Sequence, residues 1–271
     1  AINLGAGNDA LLLANGANTL SLTGIESITG GTSADVITLG TGSSAGTIDL
    51  GSGTAVDTLS LSNTDGNFTV SGVETITGGA GADTILLGAA VSGAVVNLGS
   101  GADSLTLANG TNAITVAGTE SITGDAGADT VTLSAATTSL NIDLAAGADK
   151  LILANGVNAI IVANIESIVG NSGADALTLT DIANTIQVSS IESVTGGTLA
   201  DSLTLLSAVT NGSFNLGSGA DSLTLSGAGA NSLTATAIEN ITGGSAAGSG
   251  RPHCIGLIRV VWPRAAQRSR S

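Results

Sequence analysis

The chain has 271 residues; 40 are Gly, 1% are aromatic and 10% are charged. An ordinary globular core uses more large side chains, and a disordered chain has less apolar content, so both are excluded. All 21 acids lie before residue 251 with Lys150 as their single opposing base, a net of 21 − 1 or twenty negative charges, while Arg251, Arg259, Arg264, Arg268 and Arg270 crowd the last 21 residues. Such a surface repels nucleic acid and anionic lipid and attracts cations.

One cysteine, Cys254, gives no disulfide framework. No run of ~20 apolar residues is present, so membrane insertion is not expected. The first residues, Ala1-Ile2-Asn3-Leu4-Gly5, already fall inside a repeat and follow no initiator Met or signal peptide. An internal segment of a longer protein is expected.

From the start of the chain a glycine-rich turn, one carboxylate and a short apolar strand recur ten times. The carboxylates are Asp9, Asp35, Asp57, Asp83, Asp103, Asp129, Asp149, Asp175, Asp201 and Asp221, spaced 26, 22, 26, 20, 26, 20, 26, 26 and 20 residues apart. Long and short units alternate, except that one short unit is missing between Asp175 and Asp201. Repeat architectures tolerate such a loss because each unit contacts only its neighbours.

Two and four residues after each Asp stands an aliphatic residue, from Leu11 and Leu13 to Leu223 and Leu225, with Thr or Ser between them in seven of ten copies. Period-two alternation predicts a half-buried strand, Leu inward and Thr outward. The longer unit holds two more strand candidates. One is Ala113-Ile114-Thr115-Val116, matched at 19–22 and 159–162. The other surrounds the six glutamates, Glu26, Glu74, Glu120, Glu166, Glu192 and Glu239. The glutamates, flanked by apolar residues facing the other way, are expected to form a solvated outer stripe. Asn15-Gly16, Asn109-Gly110 and Asn155-Gly156 mark turns. Asn18, Asn112, Asn158, Asn184 and Asn231 each stand eight residues before a Glu. Asn side chains stacked from coil to coil are expected there.

The pattern predicts an all-β chain, a right-handed parallel β-helix (β-solenoid) over residues 1–244 with about ten coils of 20–26 residues. One coil per 46-residue pair, with Asp turns on two opposite edges, is the alternative. Near Gly244 the pattern stops, and Gly248 stands where the spacing calls for Asp. Residues 245–271 read as a basic, non-repeat tail, either a frame-slip or cloning remnant or a functional extension.

Gly78-Gly79-Ala80-Gly81-Ala82-Asp83-Thr84-Ile85-Leu86 fits G-G-x-G-x-D-x-U-x, with U aliphatic. Gly124, Gly127, Asp129 and Val131 match all but the second glycine, which is Asp125, and residues 5–11 come close. On these residues the chain resembles the repeats-in-toxin, or hemolysin-type calcium-binding, family in a divergent form with long repeats. The resemblance implies calcium between adjacent turns, held by carbonyls of Gly78, Gly79, Gly81, Gly124 and Gly127 and by Asp83 and Asp129 first, then by the other eight repeat aspartates. Calcium's demand for six to eight hard oxygens suits that donor set. The alternative is that each Asp caps its turn by accepting backbone N–H bonds.

No catalytic residues are assigned, and the chain is not expected to be an enzyme. Gly42-Ser43-Ser44-Ala45-Gly46 has the letters of G-x-S-x-G without the strand-turn-helix context. His253-Cys254 lacks further ligands at metal spacing. The expected role is a calcium-binding structural segment of a large secreted or cell-surface bacterial protein, of adhesin or surface-layer type. Its partners would be calcium, cell-surface polysaccharide or neighbouring repeats. An accessory module of a secreted polysaccharide-modifying enzyme is the alternative. Ice binding through outward Thr rows is the third.

Overall fold

The computed structural model describes residues 1–244 and 258–261. It is all β and divides into two compact units, residues 1–135 and 136–271.

In unit 1 successive strands alternate between two parallel sheets. One holds Ile2–Asn3, Thr19–Thr23, Val36–Leu39, Thr58–Ser60, Thr75–Gly79, Ser92–Gly99, Ala113–Ala117 and Thr130–Leu133. The other holds Ala10–Leu12, Ser27–Gly31, Ala45–Gly51, Gly66–Ser71, Asp83–Leu87, Ser104–Thr106 and Ser121–Thr123. Each coil contributes one strand to each sheet, so the fifteen strands make seven coils and one strand over. This is a β-solenoid.

Unit 2 is built the same way. One of its sheets runs from Lys150–Ile152 through Ser167–Val169, Thr185–Ser189, Ser202–Leu205 and Ser222–Thr224 to Asn240–Thr242. The other runs from Asn141–Asp143 through Ala159–Ala163, Ala176–Leu179, Ser193–Thr195 and Gly212–Asn215 to Leu233–Thr236. Ile258–Val261, from the segment expected to lie outside the repeat, pairs in parallel with Leu233–Thr236. The rest of that tail, with His253 and Cys254, falls outside the described residues.

The register fixes the coil length and corrects the expected one. Leu20 lies beside Ile37, Ile37 beside Leu59, Leu59 beside Ile76 and Ile76 beside Val96, so successive coils take 17, 22, 17 and 20 residues. Coils of 20 and 22 residues fall within the expected 20–26, coils of 17 fall below it, and none approaches 46, so the coils outnumber the ten expected. A 20- or 22-residue spacing between aspartates is one full coil. A 26-residue spacing is one and a half, which moves the next Asp to the opposite corner. The motif repeats every two and a half coils because both corners of a two-strand coil pose the same hydrogen-bonding problem.

The Leu ladders line the core as the alternation predicts. Ile37, Leu59, Ile85, Leu105, Val131, Leu151 and Leu223 are fully buried, and among the ten copies only Leu11, in the first coil, is half-buried. Each buried aliphatic side chain contributes about 1.5–3 kcal/mol. Each unit buries one phenylalanine in its core, Phe68 in the first and Phe214 in the second. Such a core is one aliphatic layer from each sheet, which is why so few aromatic residues suffice.

Candidate functional site

Each repeat Asp sits at a corner, at or just before the first residue of a strand. In unit 1, Asp9, Asp83 and Asp103 lead into the seven-stranded sheet, and Asp35, Asp57 and Asp129 into the eight-stranded one. In unit 2, Asp175 leads into Ala176–Leu179, while Asp149, Asp201 and Asp221 lead into strands of the other sheet. Nine of the ten are at most 3% exposed; Asp9, in the first coil, is half-buried.

Burial of a carboxylate requires donors, and the neighbouring coil supplies them. The N–H of Asp35 donates to Asp57 Oδ1 at 2.6 Å, that of Asp83 to Asp103 Oδ1 at 2.7 Å and that of Asp201 to Asp221 Oδ1 at 2.8 Å. Asn18, Asn112, Asn158 and Asn184 donate both N–H and Nδ2–H to Oδ1 of Asp35, Asp129, Asp175 and Asp201. The same Nδ2 groups also reach two carbonyls of their own turn, as Asn112 does with Ala108 and Gly110.

The glutamates end these ladders. The N–H groups of Asp9, Asp57, Asp103, Asp149, Asp175 and Asp221 donate to Oε2 of Glu26, Glu74, Glu120, Glu166, Glu192 and Glu239, at 2.7–2.9 Å. Only Glu166 and Glu239 are exposed; the other four are half-buried. The expected solvated stripe is thus a set of corner acceptors. The expected Asn-on-Asn stack is also corrected. Because the repeat advances two and a half coils, the same-corner neighbour of an Asn is an Asp. Along a corner the order is Asn, Asp, Asp, Glu, as in Asn18-Asp35-Asp57-Glu74 and Asn184-Asp201-Asp221-Glu239. Asn158-Asp175-Glu192 is one Asp short, where the short unit is missing.

The glycines serve close packing. A Cβ on Gly78 would run into the carbonyl of Leu98 on the next coil and lie 2.7 Å from Asp83 Oδ2; Gly196 has the same relation to Leu216 and Asp201. Gly79, Gly81 and Gly127 press on backbone of the preceding coil, at Ser62, at Thr64–Asp65 and at Gly110. Gly124 is buried.

Burial raises the carboxyls of Asp57, Asp83, Asp103, Asp175 and Asp221 above the ordinary aspartate value, and the N–H bonds they accept act against it. Negative neighbours add to the rise: Glu74 and Asp35 at Asp57, Asp103 and Asp65 at Asp83, Glu120 at Asp103, Glu239 and Asp201 at Asp221. Exposed Asp181 is shifted the other way by the hydroxyl and N–H of Thr198.

These corners do not fit a calcium site. The ion needs six to eight converging oxygens, whereas along a corner the aspartates stack one per coil, seven with Oδ1 engaged by an N–H donor of the preceding coil and Asp83 with Oδ2 engaged by the N–H of Gly79. The second oxygens of Asp35, Asp103, Asp175, Asp201 and Asp221 are buried without a hydrogen-bond partner. Those of Asp175 and Asp201 lie against Gly170 and Gly196. Among the described residues no three of His, Cys, Asp and Glu converge on one point.

Ser43, in the serine-glycine motif, is a buried corner acceptor too: its Oγ takes the N–H of Ile25 at 3.0 Å. Comparison with protein-family models, curated proteins and solved structures finds no match to this chain. The fold and the corners define a parallel β-solenoid repeat protein with polar side-chain ladders.

Proposed function

We propose that the chain is a structural segment of a large secreted or cell-surface bacterial protein, of adhesin or surface-layer type. The observation that carries this reading is where its polar chemistry goes. Ten aspartates and six glutamates, the great majority of its acids, sit at the corners, where side chains tie coil to coil. Residues spent on internal stacking support a spacer or scaffold. The strongly acidic repeat, soluble and repelling anionic surfaces, suits an exposed surface setting. Force spectroscopy on the tethered chain tests it: resistance well above that of an unfolded polymer is expected, with lengthening in steps of one coil, on the order of 60–70 Å for ~20 residues. Extension without resistance overturns it.

One observation favours a second reading, an ice-binding face. In unit 1 the register aligns Thr19, Val36, Thr58, Thr75, Val95, Thr115 and Thr132 in an uncharged outward row, repeating every ~4.8 Å. Thermal hysteresis measurements decide it, since an ice-binding face produces a freezing gap and a spacer produces none.

A further inference from the structure

We infer that the corner aspartates act as hydrogen-bond acceptors whose negative charge is dispensable, and that the solenoid stacks without calcium. This inference concerns how the coils are joined and is independent of where the parent protein works.

Three observations carry it. First, seven of the ten share one acceptor atom: Oδ1 takes a backbone N–H of the preceding coil at 2.6–3.1 Å in Asp35, Asp57, Asp103, Asp129, Asp175, Asp201 and Asp221, whereas Asp83 accepts the N–H of Gly79 through Oδ2 at 3.4 Å. An amide oxygen can accept that bond in the same geometry, without the charge. Second, the chain already uses amides there. Asn112 and Asn158 occupy the equivalent corner one coil before Asp129 and Asp175, and their Oδ1 atoms accept the N–H groups of Val91 and Thr137 at 3.1 Å. Ser43 accepts with a hydroxyl, and the glutamates accept from a longer side chain. A position filled by Asn, Asp, Glu or Ser is selected for an acceptor within reach of one N–H. Third, the glycines hold the coils in direct contact. A Cβ on Gly170 or Gly196 would meet both a carbonyl of the next coil and the Asp carboxylate, at 2.7 Å from Asp175 Oδ2 and 2.6 Å from Asp201 Oδ2. The space beside the carboxylate is occupied by glycine backbone.

The motif letters G-G-x-G-x-D therefore recur here for backbone approach and N–H satisfaction. Amide substitution removes mutual repulsion between stacked carboxylates while keeping the acceptor.

The test uses the full chain, with thermal melts followed by circular dichroism in excess chelator and in millimolar calcium. The parent's midpoint is expected to be the same in both. Asp103→Asn and Asp221→Asn, singly and together, are expected to keep the β signal and melt at or above the parent's midpoint. Asp103→Ala and Asp221→Ala are expected to melt lower. A calcium-dependent rise in the parent's midpoint overturns the inference, whether or not the variants fold. So does a loss of midpoint in the Asn variants as large as in the Ala variants.

Discussion

The N–H of Asp83 donates to Oδ1 of Asp103 across 2.7 Å, one coil further along the same corner, while the N–H of Asp103 donates to Glu120 Oε2 at 2.9 Å. Asp103 is thus acceptor for the coil before it and donor to the coil after it. Removing its carboxylate leaves the buried N–H of Asp83 without a partner. Asp103→Ala is expected to lower stability by about 1–3 kcal/mol, the cost of an unsatisfied buried donor. Equilibrium urea denaturation measures it. A loss of a few tenths of a kcal/mol would mean that water reaches this corner.

The pH dependence follows from the raised carboxyls of Asp57, Asp83, Asp103, Asp175 and Asp221. Each folded-state value lies above the reference of 3.8. The folded chain then binds more protons than the unfolded one as pH rises from there, so stability falls with increasing pH through the folded values. Exposed Asp181, lowered by Thr198, contributes in the opposite direction. The urea midpoint is expected to be higher at the upper end of the carboxylate range than at neutral pH. A midpoint that climbs steadily from acid to neutral pH would contradict this sign.

The glycines beside Asp83 and Asp201 make a separate prediction. At Gly78 and Gly196 an added Cβ meets the carbonyl of Leu98 or Leu216, which is backbone and cannot rotate away. Gly196→Ala is expected to force the coils apart and destabilise by about 1–3 kcal/mol, the usual cost of overpacking. Limited proteolysis should show faster cleavage near 196–201 and 216 than in the parent. Gly229, where an added Cβ meets only Ala208 Cβ at 3.2 Å, is the control, and Gly229→Ala is expected to cost less.

Strand positions and the inward Leu ladder were legible because alternation by two depends on local residue order alone. The coil length was less legible, because Asp marks both corners and a count from Asp to Asp mixes whole coils with coils and a half. A better signal was present in the same letters. From Asp9 to Glu26, Asn18 to Asp35, Asp57 to Glu74, Asn112 to Asp129 and Asp175 to Glu192 the separation is always 17 residues, and every one of these pairs is hydrogen-bonded between adjacent coils. Recurring distances between unlike polar residues reported the coil where distances between like ones did not. The role of the glutamates was hidden because their exposure depends on how far a side chain bends back to an N–H, which no spacing reveals.

The lost unit between Asp175 and Asp201 supplies the last prediction. At the corner Asn158-Asp175-Glu192 the N–H of Asp175 passes directly to a Glu, with no second Asp between. The register places Ser202 beside Ser222 and Leu203 beside Leu223, twenty residues on. Deleting residues 203–222 joins Ser202 to Leu223 and leaves Asp201 in the place of Asp221, with Glu239 as its next acceptor. The inward ladder, the corner acceptor and the parallel pairing are all retained. The shortened chain is expected to fold with unchanged β-type circular dichroism per residue and a urea m-value reduced roughly in proportion to the surface removed. Deleting residues 203–215 removes a fraction of a coil and puts Ser202 against Leu216. That chain is expected to lose register, because a shift that is not a whole coil sets Thr and Ser toward the core. If the two deletions prove equally stable, nearest-neighbour stacking in this register is not what holds unit 2 together.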